Sequence, residues 1–290
     1  MTINKGIILA GGSGTRLLPI TKIVSKQLLL VYDKPMIYYP LSTLMLMGIK
    51  QILIIITKSQ KQLFESLLGN GKNLGISISY LVQENPDGLA HAIKISEKFI
   101  DNDPAVIILG DNMFHGSNLV NQLLPNTFDG STIYASYVED PERYGIVEIK
   151  NNNIPTRIEE KPKKAKSNYA ITGLYFFDKT LISKVKQIKL SSRNELEITD
   201  VLKLYMKENS LKVKILSRGI AWFDTGTFDS LLDASYYVKT LEQRQGQKIC
   251  CPEEIAWRNK WISNSQLFEL TKTKNKSIYD QYLLKLLKEI

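Results

Sequence analysis

The sequence predicts an α/β fold with a mostly parallel, mixed sheet flanked by helices, and two observations carry that expectation. Strand-like apolar runs alternate with helical patterns through the first half of the chain. Polar, glycine-containing loops follow several of those strands. Such alternation gives a parallel sheet covered by helices.

Strand candidates lie at Gly6 to Ala10, Gln51 to Thr57, Ser77 to Val82 and Ala105 to Leu109. Helical patterns lie between them, at Met36 to Met47, Gln60 to Leu68 and Leu89 to Phe99. Sheets of this kind bind ligands outside the carboxyl ends of their strands. Those ends carry Gly11 to Arg16, Gln83 to Gly88 and Gly110-Asp111-Asn112, so three polar loops are expected on one rim. The second half is less regular, with strand candidates at Thr132 to Val138, Gly145 to Ile149, Ile171 to Phe177 and Leu211 to Leu216. It reads as a sheet extension on the substrate side. From Pro252 onward the pattern is helical and highly charged, with apolar positions Ile255, Trp257, Trp261, Leu267 and Leu270. The expected division is a core over residues 1–245, with nucleotide- and sugar-binding halves. A helical segment over 246–290 then packs on the core or on a neighbouring subunit.

The 290 residues, 43% of them hydrophobic, can bury a large core. The apolar runs are much shorter than the roughly 20 residues that span a bilayer, and no basic leader precedes the first strand. A soluble, cytosolic chain without an exported precursor is expected. The adjacent Cys250 and Cys251 suit neither an ordinary disulfide nor a CxxC metal pair. The net charge of +9 is spread along the chain apart from the run Lys161 to Lys166 and the tail. It accompanies no basic recognition helix or aromatic RNA-binding strand, and fits small anionic substrates better than nucleic acid. Only His91 and His115 are present, which excludes a three-histidine metal site and leaves few bases for a Ser-His-Asp triad.

Three glycines, Gly11, Gly12 and Gly14, fall within four positions directly after the first strand. They let the backbone approach a ligand closely and turn its amides toward phosphate oxygens, and Arg16 adds a permanent forked charge. A Walker A loop would end in Gly-Lys-Ser/Thr, and a dinucleotide fingerprint would need glycine at Leu17. Asp33 lies near the spacing of a dehydrogenase's ribose contact, but the missing glycine and Arg16 argue against that class. Taken alone, the loop fits a strand-to-helix turn without a ligand equally well.

The longer pattern resembles the sugar-nucleotide pyrophosphorylase family, most closely its thymidylyl-transferring branch. The resemblance rests on Gly11 to Leu17 with Pro19, Thr21 and Lys26, and on Tyr32 to Pro40, Gln83 to Ala90 and Leu109 to Asn112. It continues through Pro141 to Gly145, Ile158 to Pro162, Glu195 to Asp200, Ala221 to Gly226 and Cys251 to Ala256. The chain departs from the family's usual residues at Leu30, His91, Asn194 and Phe228, none of which removes an expected charged group.

The resemblance implies a Rossmann-like sheet of the nucleotide-diphospho-sugar transferase type. It implies transfer of a thymidylyl group from dTTP to glucose 1-phosphate, with release of pyrophosphate, as an entry to dTDP-L-rhamnose and related deoxysugars. Arg16, Lys26, Asp111, Lys161 and Asp224 take the catalytic roles. Leu9, Gly11, Gly12, Gly14, Thr15, Gln83, Pro86 and Gly88 join Arg16 and Asp111 around the nucleotide. Asn112, Tyr144, Gly145, Glu160, Lys161, Ile171, Tyr175 and Arg193 surround the sugar phosphate. Asp111 and Asp224 are the Mg²⁺ ligands, a pair suited to a hard cation that also takes phosphate oxygens and waters. Each aspartate by itself also fits a turn or helix cap. A homotetramer with a second, feedback nucleotide-sugar site near the tail is implied too, with Arg218, Gly219 and Arg258 as its candidates. The alternatives are a relative that uses UTP or another sugar 1-phosphate, and a nucleotide sensor without turnover.

Overall fold

The computed structural model describes residues 3–12, 14–85, 87–272 and 276–288. In the first half β1 (Lys5–Ala10) is followed by the short paired strands β2 (Leu30–Val31) and β3 (Lys34–Pro35). Then come α1 (Tyr38–Leu46), β4 (Gln51–Ile56), α2 (Lys61–Leu68), β5 (Ser77–Val82), α3 (Leu89–Ile95), α4 (Glu97–Ile100) and β6 (Ala105–Leu109). Next are β7 (Asn112–Gly116), α5 (Leu119–Leu123), β8 (Ser131–Tyr137), β9 (Gly145–Lys150), β10 (Ile154–Glu160) and β11 (Tyr169–Phe177). The chain continues with α6 (Leu181–Val185), α7 (Ile198–Lys207), β12 (Leu211–Ile215), β13 (Ile220–Asp224) and the long α8 (Phe228–Gln245). Three short helices close it, α9 (Pro252–Arg258), α10 (Asn264–Leu270) and α11 (Ile278–Leu286).

Among the described residues one nine-stranded mixed sheet organises the molecule. Strands β6, β1, β4 and β5 run parallel, with β1 paired in register to β4 on one side and to β6 on the other. The chain therefore leaves β1 in both directions, which opens a crevice beyond the carboxyl ends of β1 and β6. Strands β6, β1 and β4 read as nearly continuous apolar runs because both faces are covered, whereas β5, at the sheet edge, is partly exposed. Ile8 and Ala10 point into one core with α1 and the tail helices, whereas Ile7 and Leu9 point into the other with α3 and α7.

The pairing turns antiparallel at β11. The carboxyl half of β11, Leu174 to Phe177, pairs with β6, while Ala170 pairs with Ile146 of β9 on the same edge. Between those contacts the edge of β11 is open, so β6 and β9 splay apart and leave a gap in the sheet. Gly173 lies in the gap, where a Cβ would come within 2.7 Å of the Asn112 and Leu109 side chains.

A two-stranded ribbon of β7 and β13 stands off the main sheet and pairs Asn112 with Asp224. Sequence patterning does not separate β7 from the preceding strand, because only Gly110 and Asp111 intervene. It also leaves α8 unassigned. That helix buries little apolar surface, and its signals are local: a Thr227–Ser230 capping box and a left-handed Gly246 at its end.

The tail helices add Ile255, Ala256, Leu267, Leu283 and Leu286 to the same core as α1. No helix among the described residues is long and apolar enough to cross a membrane. Asp33, at the spacing of a ribose ligand, instead pairs with Lys34 at 2.6 Å and with Lys248, and both lysines contact the buried Glu242. This cluster ties the β2–β3 turn to the end of α8.

Because Leu267 is fully buried, Leu267→Ala should lower unfolding stability by about 2–5 kcal/mol in urea titration. A loss below about 0.5 kcal/mol would show that α10 is not part of the core.

Candidate active site

The gap between β6 and β9 and the crevice beyond β1 merge into one cleft of about 380 Å³. That volume suits a small-molecule ligand. Its walls include Leu9, Gly11, Gly12, Gly14, Thr15, Arg16 and Lys26 from the β1 side, with Gln83 and Gly88 from the loop after β5. Asp111 and Asn112 contribute from the β6–β7 turn, and Asp224 from the end of β13. The sugar-side candidates Tyr144, Gly145, Glu160, Lys161, Ile171, Tyr175 and Arg193 line the opposite wall. Ser13 and Pro86 lie outside the described residues. Arg218 and Gly219 occupy an exposed turn before β13, and Arg258 pairs with Glu254 at 2.7 Å on α9. None of these three lines the cleft.

Backbone pairing brings the two aspartates together. Asn112 and Asp224 are register partners in the ribbon, and the Thr225 amide and hydroxyl both donate to the Asp111 carbonyl, at 3.0 and 2.7 Å. Asn112 is held in turn, with its Oδ1 accepting from the Gly173 amide and from Trp222 Nε1, and its amide donating to Asp111 Oδ1 at 3.1 Å.

The electrostatics of the pair are unequal. Burial pushes the Asp111 carboxyl up, but the ammonium of Lys26, in direct contact with Oδ2, and the Asn112 amide outweigh it and hold the group below the usual carboxylate range. Asp224 is pushed up to about 6, first by burial and then by the negative charge of Asp111, with Lys26, Arg143 and Arg16 opposing. Two buried like charges in one small space are what a divalent cation relieves. Among the described residues no third carboxylate, histidine or cysteine completes a ligand set. A cation held here would complete its shell with phosphate oxygens and water, as Mg²⁺ does.

In the loop after β5, the Gln83 amide nitrogen donates to the Gly88 carbonyl at 3.3 Å and lies 3.2 Å from His91 Nδ1. Gly88 adopts φ +101°, and a Cβ there would meet the Leu196 carbonyl oxygen at 2.4 Å, so only glycine fits. On the sugar side, burial raises the Glu160 carboxyl above its ordinary value despite Lys161 and Arg193, whose nearest nitrogens lie 3.9 and 3.3 Å away. A carboxyl between those cations keeps oxygen lone pairs that can accept from hydroxyls of a ligand. Asn194 has φ +60°, the left-handed conformation that asparagine tolerates, so the loop still presents Arg193 to the cleft.

Sequence reasoning missed Gln27, Arg143 and Trp222, which also line the cleft. Among the described residues Arg143 Nη2 is buried with no hydrogen-bond partner, 3.8 Å from Asp224 Oδ2. Its neighbours Tyr144 and Gly145 were read for their motif, which was signal enough to include Arg143. Trp222 was legible only as an apolar strand residue, since its indole hydrogen bond to Asn112 depends on the ribbon.

The family model for nucleotidyl transferases matches residues 5–240. A glucose-1-phosphate thymidylyltransferase of Neisseria meningitidis serogroup A is 53% identical over 287 residues, covering 98% of this chain and 100% of that protein. One from Mycobacterium tuberculosis H37Rv is 51% identical, covering 98% of this chain and 99% of its own. Among solved structures, a Bacillus anthracis protein assigned to the same activity and bound to sucrose superposes with TM-score 0.72. It is 41% identical and covers 80% of this chain and 94% of its own. A UDP-glucose pyrophosphorylase complexed with UDP-glucose gives TM-score 0.73 at 27% identity, covering 82% and 99%.

The raised Asp224 carboxyl has a consequence for stability. A folded-state value above the ordinary 3.8 means stability present below about pH 3.8 and lost as pH rises through about 6. Asp224→Asn should therefore stabilise the metal-free protein at pH 7, by ~1–3 kcal/mol in thermal or urea unfolding, while removing turnover. Destabilisation at pH 7 would contradict the pairing of charges.

Gly88→Ala should raise the nucleotide KM at least tenfold, through displacement of the Leu196 carbonyl. An unchanged KM would show that this loop does not face the base.

Proposed function

Because the chain belongs to the nucleotidyl transferase family, we propose that it transfers a thymidylyl group from dTTP to α-D-glucose 1-phosphate, giving dTDP-glucose and pyrophosphate. One observation carries the reading: the glycine loop with Arg16 and Lys26, the Asp111–Asp224 pair, and Glu160, Lys161 and Arg193 all face a single cleft. The identity of about 50% to thymidylyltransferases over nearly the full chain supports the choice of substrates.

The attacking group is a sugar-phosphate oxygen that arrives ionised, so no protein nucleophile or general base is required. The work of the protein is to align two polyanions and to absorb charge at the α-phosphorus. The amides of Gly11, Gly12 and Gly14, which line the cleft, would meet the triphosphate chain, and Arg16 and Lys26 would neutralise it. Lys161 and Arg193 hold the phosphate of the sugar, which places its oxygen in line with the bond to pyrophosphate. Tyr144, Gly145, Glu160, Ile171 and Tyr175 enclose the hexose, with Glu160 accepting from hydroxyls. Asp111 and Asp224 would hold Mg²⁺, whose charge would polarise the α-phosphate. Arg143, with a free guanidinium nitrogen beside Asp224, adds positive charge at the same point.

Gln83 and Gly88 read the pyrimidine edge. The location proposed with this reaction is the cytoplasm. Residues 1–245 form the catalytic unit and 246–290 its helical support. The family likeness further supports a homotetramer with a regulatory nucleotide-sugar site around Arg218, Gly219 and Arg258.

The test is to offer dTTP, UTP, GTP and CTP with several hexose 1-phosphates and measure pyrophosphate with and without Mg²⁺. Release should be fastest with dTTP and glucose 1-phosphate and should depend on the metal. Preference for UTP would assign the chain to the UDP-sugar branch instead. Asp111→Asn, which removes charge at nearly constant volume, should cut turnover a hundredfold or more without unfolding the protein. Near-normal Mg²⁺-dependent release would overturn the assignment of Asp111.

A further inference from the structure

Each carboxylate of the aspartate pair has one of the chain's own cations against it. Asp111 Oδ2 is in direct contact with the Lys26 ammonium, and Oδ1 accepts from the Asn112 amide at 3.1 Å, so both oxygens are engaged. Asp224 Oδ2 faces Arg143 Nη2 at 3.8 Å, near enough for an ion pair and too far for a hydrogen bond. Arg143 is anchored through its other nitrogen. Nη1 donates to Asp140 Oδ2 at 2.6 Å, and the guanidinium lies 5.3 Å from the centre of the Tyr144 ring. Nη2, buried and with no acceptor among the described residues, is thus a fixed donor in the wall of the cleft that the glycine loop, Arg16 and Lys26 also line. A buried donor left unmatched is costly, and an anionic oxygen is the partner that recovers most.

A divalent cation would need the same carboxylate oxygens that Lys26 and Arg143 face. Arriving alone, it must push both side chains aside against like-charge repulsion and offers them no acceptor in exchange. A triphosphate offers oxygens to both. We infer that Lys26 and Arg143 are resident counter-ions of Asp111 and Asp224 that a triphosphate draws off, so that this site takes metal and nucleotide as strongly coupled ligands. Both assignments rest on the nucleotidyl-transfer reading above but not on the identity of the base, because the phosphate chain is common to all four nucleotides. Arg143 thereby has two successive partners, the Asp224 carboxylate and a phosphate oxygen, within reach of a guanidinium pivoting on Asp140. Lys26 has the matching pair on the other side, Asp111 and the same phosphate chain. Such coupling is reciprocal: the metal tightens the nucleotide by the factor by which the nucleotide tightens the metal.

The measurement is Mn²⁺ affinity by electron paramagnetic resonance at pH 8, with and without saturating dTTP and in the absence of sugar phosphate, for the wild type, Arg143→Gln and Lys26→Gln. The ratio of the two affinities is the coupling. The nucleotide's own hold on Mn²⁺ is the same for every protein and cancels when ratios are compared. A side chain that only adds positive charge to the cleft opposes Mn²⁺ equally in both states, so its removal leaves the ratio unchanged. Removal of a counter-ion that the triphosphate displaces should instead tighten Mn²⁺ chiefly in the nucleotide-free protein and lower the ratio roughly fivefold or more. The two residues sit on different elements, so each variant gives a reading should the other fail to fold, which thermal unfolding checks. A ratio equal to that of the wild type in either folded variant would overturn the inference and leave the proposed reaction standing. Failure of the wild type to bind any of dTTP, UTP, GTP and CTP would overturn the nucleotidyl-transfer reading, and this inference with it.

Discussion

The structure depends on holding two buried carboxylates side by side. Asp111 ends the turn after the central strand β6, Asp224 ends β13, and the ribbon between β7 and β13 forces them onto one face of the cleft. Such a pair is unfavourable by itself: burial and then the charge of Asp111 push Asp224 up to about 6, while the ammonium of Lys26 holds Asp111 below the usual carboxylate range. The surrounding cations, Lys26, Arg143 and Arg16, offset part of the repulsion. A site built this way gives up some stability in the resting protein for charge gathered in the cleft, which on the proposed function serves polyanions and a metal.

The sheet makes room for that arrangement by failing to close. Had β11 paired along its whole edge with β6, Gly173 would lie under a continuous ladder and the Asn112 carboxamide would have no amide to accept from. Instead the edge is shared between β6 and β9, and the Gly173 amide turns to Asn112. One wall of the opening carries the phosphate-facing loop after β1 and the other carries Glu160, Lys161 and Arg193. The two groups of residues that would take nucleotide and sugar on the proposed function thus come from a single discontinuity in one sheet.

Much of this was legible in the sequence. The parallel strands announced themselves because both their faces are buried, leaving unbroken runs such as Ile52 to Ile56. The loop after β1 and both aspartates took their expected roles from the family resemblance, since each alone also fits a turn or a cap, and the structure brings them to one cleft. What stayed hidden depends on partners distant in sequence. Trp222 looks like a core residue until the ribbon brings its indole to Asn112, 110 positions away. Asp33 has the spacing of a ribose ligand, yet its partners Lys34, Lys248 and the neighbouring Glu242 place it in a structural ion cluster. Helix α8 was unreadable because its buried residues are few, and the link between Gln83 and His91 because a hydrogen bond between side chains leaves no periodicity.

The central claim, that the paired aspartates exist to hold a divalent cation against the nucleotide, is tested most directly by Mn²⁺ affinity in the dTTP complex. Electron paramagnetic resonance titrations between pH 5 and 8 would compare the wild type with Asp224→Asn. Both share the titration of the nucleotide itself. The wild type should tighten more steeply as pH rises through about 6, where Asp224 ionises, and should bind more tightly at pH 8. Identical affinities and identical pH profiles for the two proteins would contradict the account.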